Sequence, residues 1–123
     1  MPWRVLFADD DPTAHLLVRA ALGGPDFVLT LVDNGTEALA AFTASPFDIV
    51  LLDVEMPGLS GLEVCSAIRG TYGAGLPVAL VTGRNDAVFL EQARQLSAVH
   101  LAKPVNWASL GGLLRSLLVT DGP

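Results

Sequence analysis

The chain has 123 residues, the size of one domain and enough to bury a core without disulfide or metal staples. Its 7 Lys+Arg against 13 Asp+Glu give a net charge of −6, which excludes nucleic acid or an anionic membrane as a partner held by bulk charge. An apolar fraction of 51% excludes disorder.

Residues 4–8 predict a first strand, and the three aspartates after it end the apolar run too early for a signal-peptide core. Asp11-Pro12 predicts a helix start, with an acidic cap and proline at the first helical position. Leu16, Leu17, Ala20 and Ala21 make the apolar stripe of this helix, and Gly23-Gly24 end it. His15 is expected at its surface, without a role. Residues 27–32 predict strand two, and Asn34 with Glu37 cap a second helix through Phe42. Ser45-Pro46 lead into strand three, residues 49–52. Ser60 to Glu63 is a capping box for helix three, expected to bury Leu62, Cys65 and Ile68. Cys65 is the only cysteine, so there is no intrachain disulfide or cysteine-based metal cluster, and a reducing, cytoplasmic location is expected. Residues 77–81 predict strand four, a fourth helix starts near Asp86, and residues 99–102 predict strand five. Asn106 caps a last helix over 107–119, whose apolar part is broken by Arg115 and is too short to span a membrane. The expectation is a single domain over 1–123, with its core in 3–119 and a short tail over 120–123.

Five repeats of strand then helix define an α/β fold. Strands three and four are apolar without alternation, as parallel strands covered on both faces are. Right-handed crossovers and one reversal of winding give the order 2-1-3-4-5. The predicted architecture is a single doubly wound, five-stranded parallel sheet with five flanking helices, in the flavodoxin-like order.

In such sheets the functional crevice lies beyond the carboxyl ends of the strands. Asp9-Asp10-Asp11 follow strand one, Asp33 strand two, Asp53 strand three, Thr82 strand four and Lys103-Pro104 strand five. The sheet order brings Asp9, Asp10, Asp53, Thr82 and Lys103 to one place. Carboxylates held together repel, and a hard divalent cation with oxygen ligands relieves them. A carboxylate is also a nucleophile towards phosphorus, and the phosphoryl group then needs cations and donors on its oxygens. Six of the seven basic residues are arginines, and the one lysine, Lys103, stands where an ammonium is wanted.

These motifs, with Asp53-Val54-Glu55-Met56-Pro57-Gly58-Leu59-Ser60-Gly61 and Thr82-Gly83, make the sequence resemble a receiver domain of two-component response regulators over essentially its whole length. The resemblance implies a phosphoacceptor switch rather than a turnover enzyme. Asp53 would take a phosphoryl group from a sensor histidine kinase or a histidine phosphotransfer protein, and slow hydrolysis would reset it. It implies Mg²⁺ held directly by Asp10, through water by Asp9, and by Asp53 and the Glu55 backbone carbonyl. Lys103, Thr82 and the backbone N–H groups of Glu55 and Gly83 would bind the phosphoryl oxygens. Asp11 is read as a cap. Phosphorylation would switch the face of helix four, strand five and helix five, with Thr82 moving and the residue three before the lysine following. That residue is His100, where the family usually has Tyr or Phe; Gly83 and Val105 also depart from the common pattern. Glu55 and Arg84 are expected to form an ion pair across the mouth of the site.

Asp9-Asp10-Asp11-Pro12-Thr13 also fits the Asp-x-Asp-x-Thr motif of small haloacid-dehalogenase-like phosphatases, with Asp9 as nucleophile. That family needs a late acidic pair, and only Asp121 follows Lys103. A phosphate-independent receiver-like protein is opposed by the complete set of site residues. A flavin carrier is opposed by aspartates that would repel its phosphate. Trp107 and the Leu110, Leu114, Leu117 stripe are read chiefly as core. A partner surface, such as that of a phosphorylation-dependent dimer, is the alternative, with Gly111-Gly112 permitting close approach. No direct nucleic-acid or membrane contact is expected. A stand-alone receiver and a piece of a longer regulator or hybrid kinase both fit the sequence, and the downstream effector stays unassigned.

Overall fold

The computed structural model describes residues 2–119, so the proposed 120–123 tail lies outside the described residues. Ten elements alternate along the chain: β1 (Trp3–Ala8), α1 (Pro12–Ala21), β2 (Phe27–Val32), α2 (Gly35–Ala44), β3 (Ile49–Asp53), α3 (Gly61–Tyr72), β4 (Val78–Thr82), α4 (Ala87–Gln95), β5 (Val99–Ala102) and α5 (Trp107–Val119). All strand pairs are parallel and the order is β2-β1-β3-β4-β5, as the sequence predicts.

The helix starts follow from side chains that satisfy the first free N–H groups. Asp11 accepts from the Thr13 N–H, Asn34 from Glu37 and Asp86 from Phe89. Ser60 and Glu63 close a reciprocal capping box at 2.8 and 3.2 Å. At α5 it is the Asn106 backbone carbonyl that accepts, from the N–H and hydroxyl of Ser109.

The pleat divides the core into two layers. Leu6, Val50, Leu52 and Leu80 pack with Phe42, Val64, Ile68 and Phe89 on the side of α2, α3 and α4. Val5, Phe7, Leu51 and Val81 pack with Val18, Leu22, Leu110 and Leu114 on the side of α1 and α5. Every residue of β3 and β4 is buried, which explains their unbroken apolar runs.

Two predicted helix faces need correction. The face that α1 buries is Ala14, Val18 and Leu22, while Leu16, Leu17 and Ala20 are exposed and Ala21 packs at the edge. The helix carries two apolar rows, and the sheet takes the one at i, i+4, i+8 formed by Ala14, Val18 and Leu22. In α3, Val64 is buried with Cys65 and Ile68, and Leu62 is only half-buried. Gly61 has a steric reason: a Cβ there would collide with the Asp53 carbonyl, so glycine lets α3 start against the end of β3.

Candidate functional site

Strand ends place each member of the site. Asp9 follows β1, its N–H bonded to the Val32 carbonyl at 3.1 Å. Asp53 and Thr82 are the last residues of β3 and β4, one residue later than the predicted strand ends. Lys103 follows β5, its N–H bonded to the Thr82 carbonyl at 3.0 Å. Asp9, Asp53 and Thr82 are 3%, 2% and 0% exposed, whereas Asp10 is exposed.

Carboxylate oxygens of Asp9, Asp10 and Asp53 lie within 4.8 Å of one another. Lys103 Nζ donates to Asp53 Oδ1 at 3.0 Å. Burial pushes the Asp53 carboxyl up to about 6, with the Asp9 and Glu55 charges adding to the rise and the Lys103 bond opposing it. Burial also raises Asp9, against the hydrogen bond from the Asp11 N–H. Burial pulls Lys103 down, but its bond to Asp53 and the surrounding carboxylates outweigh this and hold it above the usual lysine value. The pair is asymmetric because the Lys103 side chain keeps 40% exposure while Asp53 is sealed. One ammonium does not relieve three carboxylates.

The Thr82 hydroxyl donates to the Glu55 carboxylate, at 3.1 and 3.3 Å to its two oxygens, and accepts from the Arg84 N–H at 3.1 Å. The expected Glu55–Arg84 ion pair is therefore replaced. Arg84 instead holds Asp86 through two bonds of 3.0 and 3.1 Å, and its guanidinium lies over the Phe89 ring. Asp86 is two residues away and takes the guanidinium fork to fork, while the Glu55 carboxylate is engaged by the Thr82 hydroxyl. The Glu55 and Gly83 backbones sit on the loops after β3 and β4. A Cβ at Gly83 would meet nothing within 4 Å, so this loop leaves open space.

His100 lies on the α4 side of β5, its ring edge-on to Phe89 at 5.3 Å. Its Nε2 is buried without a hydrogen-bond partner.

Sequence reasoning gave His15 no role, yet its side chain is 17% exposed and its Nε2 lies 2.7 Å from the Asp9 carbonyl oxygen. Asp33 Oδ1 is 3.8 Å from the same nitrogen, and Phe7 packs against the ring. The available signal was its position next to Ala14, one turn after the Asp11 cap, which puts it at the edge of the buried face. A cleft of about 460 Å³ opens beside the cluster, lined by Asp9, Leu17, Lys103, Val105 and Trp107 among others.

A doubly wound sheet with this order, gathering carboxylates, a buried threonine and a lysine at adjacent strand ends, defines a signalling domain of the receiver class. The family model for the response regulator receiver domain matches residues 5–115, and the chain belongs to that family. Such domains are signalling proteins rather than turnover enzymes, and the phosphatase alternative is not favoured. The chain is 36% identical to the response regulator MprA of Mycobacterium sp. (strain KMS), over all of this chain and 54% of that protein. It is 34% identical to the DNA-binding response regulator MtrA of Mycolicibacterium smegmatis, over 72% of this chain and 38% of that one. It thus spans about half or less of the length of these curated relatives, and DNA binding is a property stated of MtrA. Among solved structures, the chemotaxis response regulator CheY4 of Vibrio cholerae is similar, with a TM-score of 0.86 at 26% identity over 96% of this chain and 100% of that one. A beryllofluoride-activated DrrB receiver domain aligns with a TM-score of 0.83 at 25% identity, over 96% and 98%. Among the described residues, no helix is long and apolar enough to cross a membrane.

Proposed function

We propose that this domain accepts a phosphoryl group on Asp53 from a phosphohistidine of a sensor histidine kinase or histidine phosphotransfer protein. The observation that carries this reading is the Asp53 carboxylate itself. It is sealed at a strand end, bonded to the one lysine at 3.0 Å and within 4.8 Å of two further carboxylates. In the transfer an Asp53 oxygen forms a bond to phosphorus as the phosphorus–nitrogen bond breaks. The electron pair of that bond returns to the imidazole nitrogen of the donor.

The site fits Mg²⁺. Its donors are hard oxygens, and burial has raised both Asp9 and Asp53 because Lys103 alone leaves their charge unrelieved. Asp10, Asp9, Asp53 and the Glu55 carbonyl would hold the ion. When bound, it supplies positive charge to the carboxylates and to the phosphoryl oxygens. Lys103 orients Asp53 and then follows the charge onto the phosphoryl group. The Thr82 hydroxyl and the N–H groups of Glu55 and Gly83 donate to the remaining oxygens. Hydrolysis at Asp53 resets the domain. The output is read on the face of α4, β5 and α5, where His100 packs under α4, by an effector or by a second phosphorylated copy. The acidic chain itself makes no nucleic-acid contact.

The test is incubation with Mg²⁺ and acetyl phosphate, followed by intact mass on wild type and Asp53→Ala. The wild type gains one phosphoryl group and the variant gains none. Equal labelling of the two would overturn the assignment.

A further inference from the structure

We propose that the Glu55 side chain is a latch on Thr82, competing with the phosphoryl group for the single hydroxyl proton of that residue. The inference rests on the phosphoacceptor reading of Asp53 and assigns the Glu55 side chain a role distinct from that of its backbone.

A threonine hydroxyl has one O–H to give. Thr82 is fully buried, and its O–H goes to the Glu55 carboxylate, with both oxygens in range at 3.1 and 3.3 Å. The Arg84 N–H occupies the acceptor side at 3.1 Å. The hydroxyl is therefore committed in both directions. A charged acceptor makes this a stronger bond than a neutral pair would.

A phosphoryl group on Asp53 presents acceptor oxygens. It can accept from Thr82 only by displacing Glu55 as the acceptor of that hydroxyl proton. The two anionic acceptors also repel each other, since Glu55 is two residues beyond Asp53 and its charge already raises the Asp53 carboxyl. Glu55 is exposed, so it can withdraw into water without leaving a buried charge behind.

The same exchange reaches α4. Thr82 accepts from the Arg84 N–H, and the Arg84 guanidinium clamps Asp86, the cap of α4, and covers Phe89. Phe89 in turn carries the edge contact of His100. Release of Thr82 from Glu55 thus frees the first member of a contiguous set of contacts leading to α4 and β5. Glu55 sets how much phosphoryl affinity is spent on that release.

The experiment is a titration with beryllium fluoride, a phosphoryl mimic, at saturating Mg²⁺. It is read by tryptophan fluorescence, in which Trp107 lines the cleft with Asp9 and Lys103 and Trp3 at the far end of β1 supplies a constant background. Wild type, Glu55→Ala, Glu55→Gln, Thr82→Ala, the Glu55→Ala/Thr82→Ala double variant and an Asp53→Ala control are compared, each checked for folding by circular dichroism. Removing a competing charge-assisted bond is expected to tighten binding by about tenfold in Glu55→Ala. The Gln variant keeps an acceptor without the charge and falls between. In the Thr82→Ala background most of the Glu55→Ala gain disappears, because no hydroxyl is left to compete for and only the charge repulsion remains.

An equal gain in both backgrounds would overturn the latch and leave through-space repulsion. So would a Gln variant as tight as Glu55→Ala, or no gain at all in Glu55→Ala. A wild type that binds no better than Asp53→Ala removes the receiver chemistry and the latch together. Wild-type binding with an unaltered Glu55→Ala removes the latch alone.

Discussion

The isosteric change Asp53→Asn is expected to stabilise the metal-free domain at neutral pH, although it destroys the reacting carboxylate. Burial holds the Asp53 carboxyl at about 6 in the folded state, against an ordinary value of 3.8. The folded protein therefore binds this proton more tightly than the unfolded chain does. The stability that this one group contributes is fully present below about pH 3.8, falls as pH rises towards 6, and is lost above that. The gap from 3.8 to about 6, at about 1.36 kcal/mol for each tenfold step, makes roughly 3 kcal/mol at neutral pH. Asparagine removes the buried charge and keeps an oxygen for Lys103. The ammonium loses an ionic partner, but its side chain is 40% exposed and water takes up the difference. The expected net gain is about 1–3 kcal/mol. Urea unfolding with EDTA measures it. The midpoint of the variant should exceed that of wild type at about pH 7.5, and the difference should vanish near about pH 3.5. A variant no more stable than wild type at neutral pH, or a difference that ignores pH, would refute the reasoning.

Three further outcomes follow from named contacts. Mg²⁺ should raise the melting temperature of wild type with a concentration dependence that Asp10→Asn greatly weakens, measured by thermal unfolding across a Mg²⁺ series. His15→Phe keeps the packing on Phe7 but loses the contact with the Asp9 carbonyl, so Mg²⁺ affinity should fall about tenfold in a fluorescence titration. The Arg69 guanidinium bonds the carbonyls of Gly73, Leu76, Leu96 and Ser97, joining α3 to the α4–β5 loop. Arg69→Ala should cost about 2–4 kcal/mol in denaturant unfolding, while Mg²⁺ affinity remains that of wild type.

Much of the architecture is legible in the sequence because its signals are local and agree. β3 and β4 announce burial on both faces, the side-chain caps of α1 to α3 sit where Asp11, Asn34 and Ser60 predict, and α4 starts where expected, with Asp86 as its cap. Strand order then follows from crossover handedness, and it brings Asp9, Asp10, Asp53, Thr82 and Lys103 together. The failures lie where several partners compete. In α1, Leu16 and Leu17 are as apolar as Val18 and Leu22, and periodicity cannot say which row meets the sheet. Arg84 could reach a carboxylate on either of two loops, and the geometry of Asp86 decides. His15 looks like a surface histidine until the fold puts the Asp9 carbonyl beside it. The bond between Thr82 and Glu55 depends on the approach of the loop after β3 to the end of β4, which no pattern within either one reveals.

The central claim is that Asp53 carries the phosphoryl group, and reductive mapping tests it most directly. The protein is phosphorylated with acetyl phosphate and Mg²⁺, then treated with borohydride, which converts an acyl phosphate of aspartate to homoserine, and its peptides are sequenced by mass spectrometry. The account predicts homoserine at position 53 and nowhere else. Homoserine at any other position, Asp9 and Asp10 included, would contradict it.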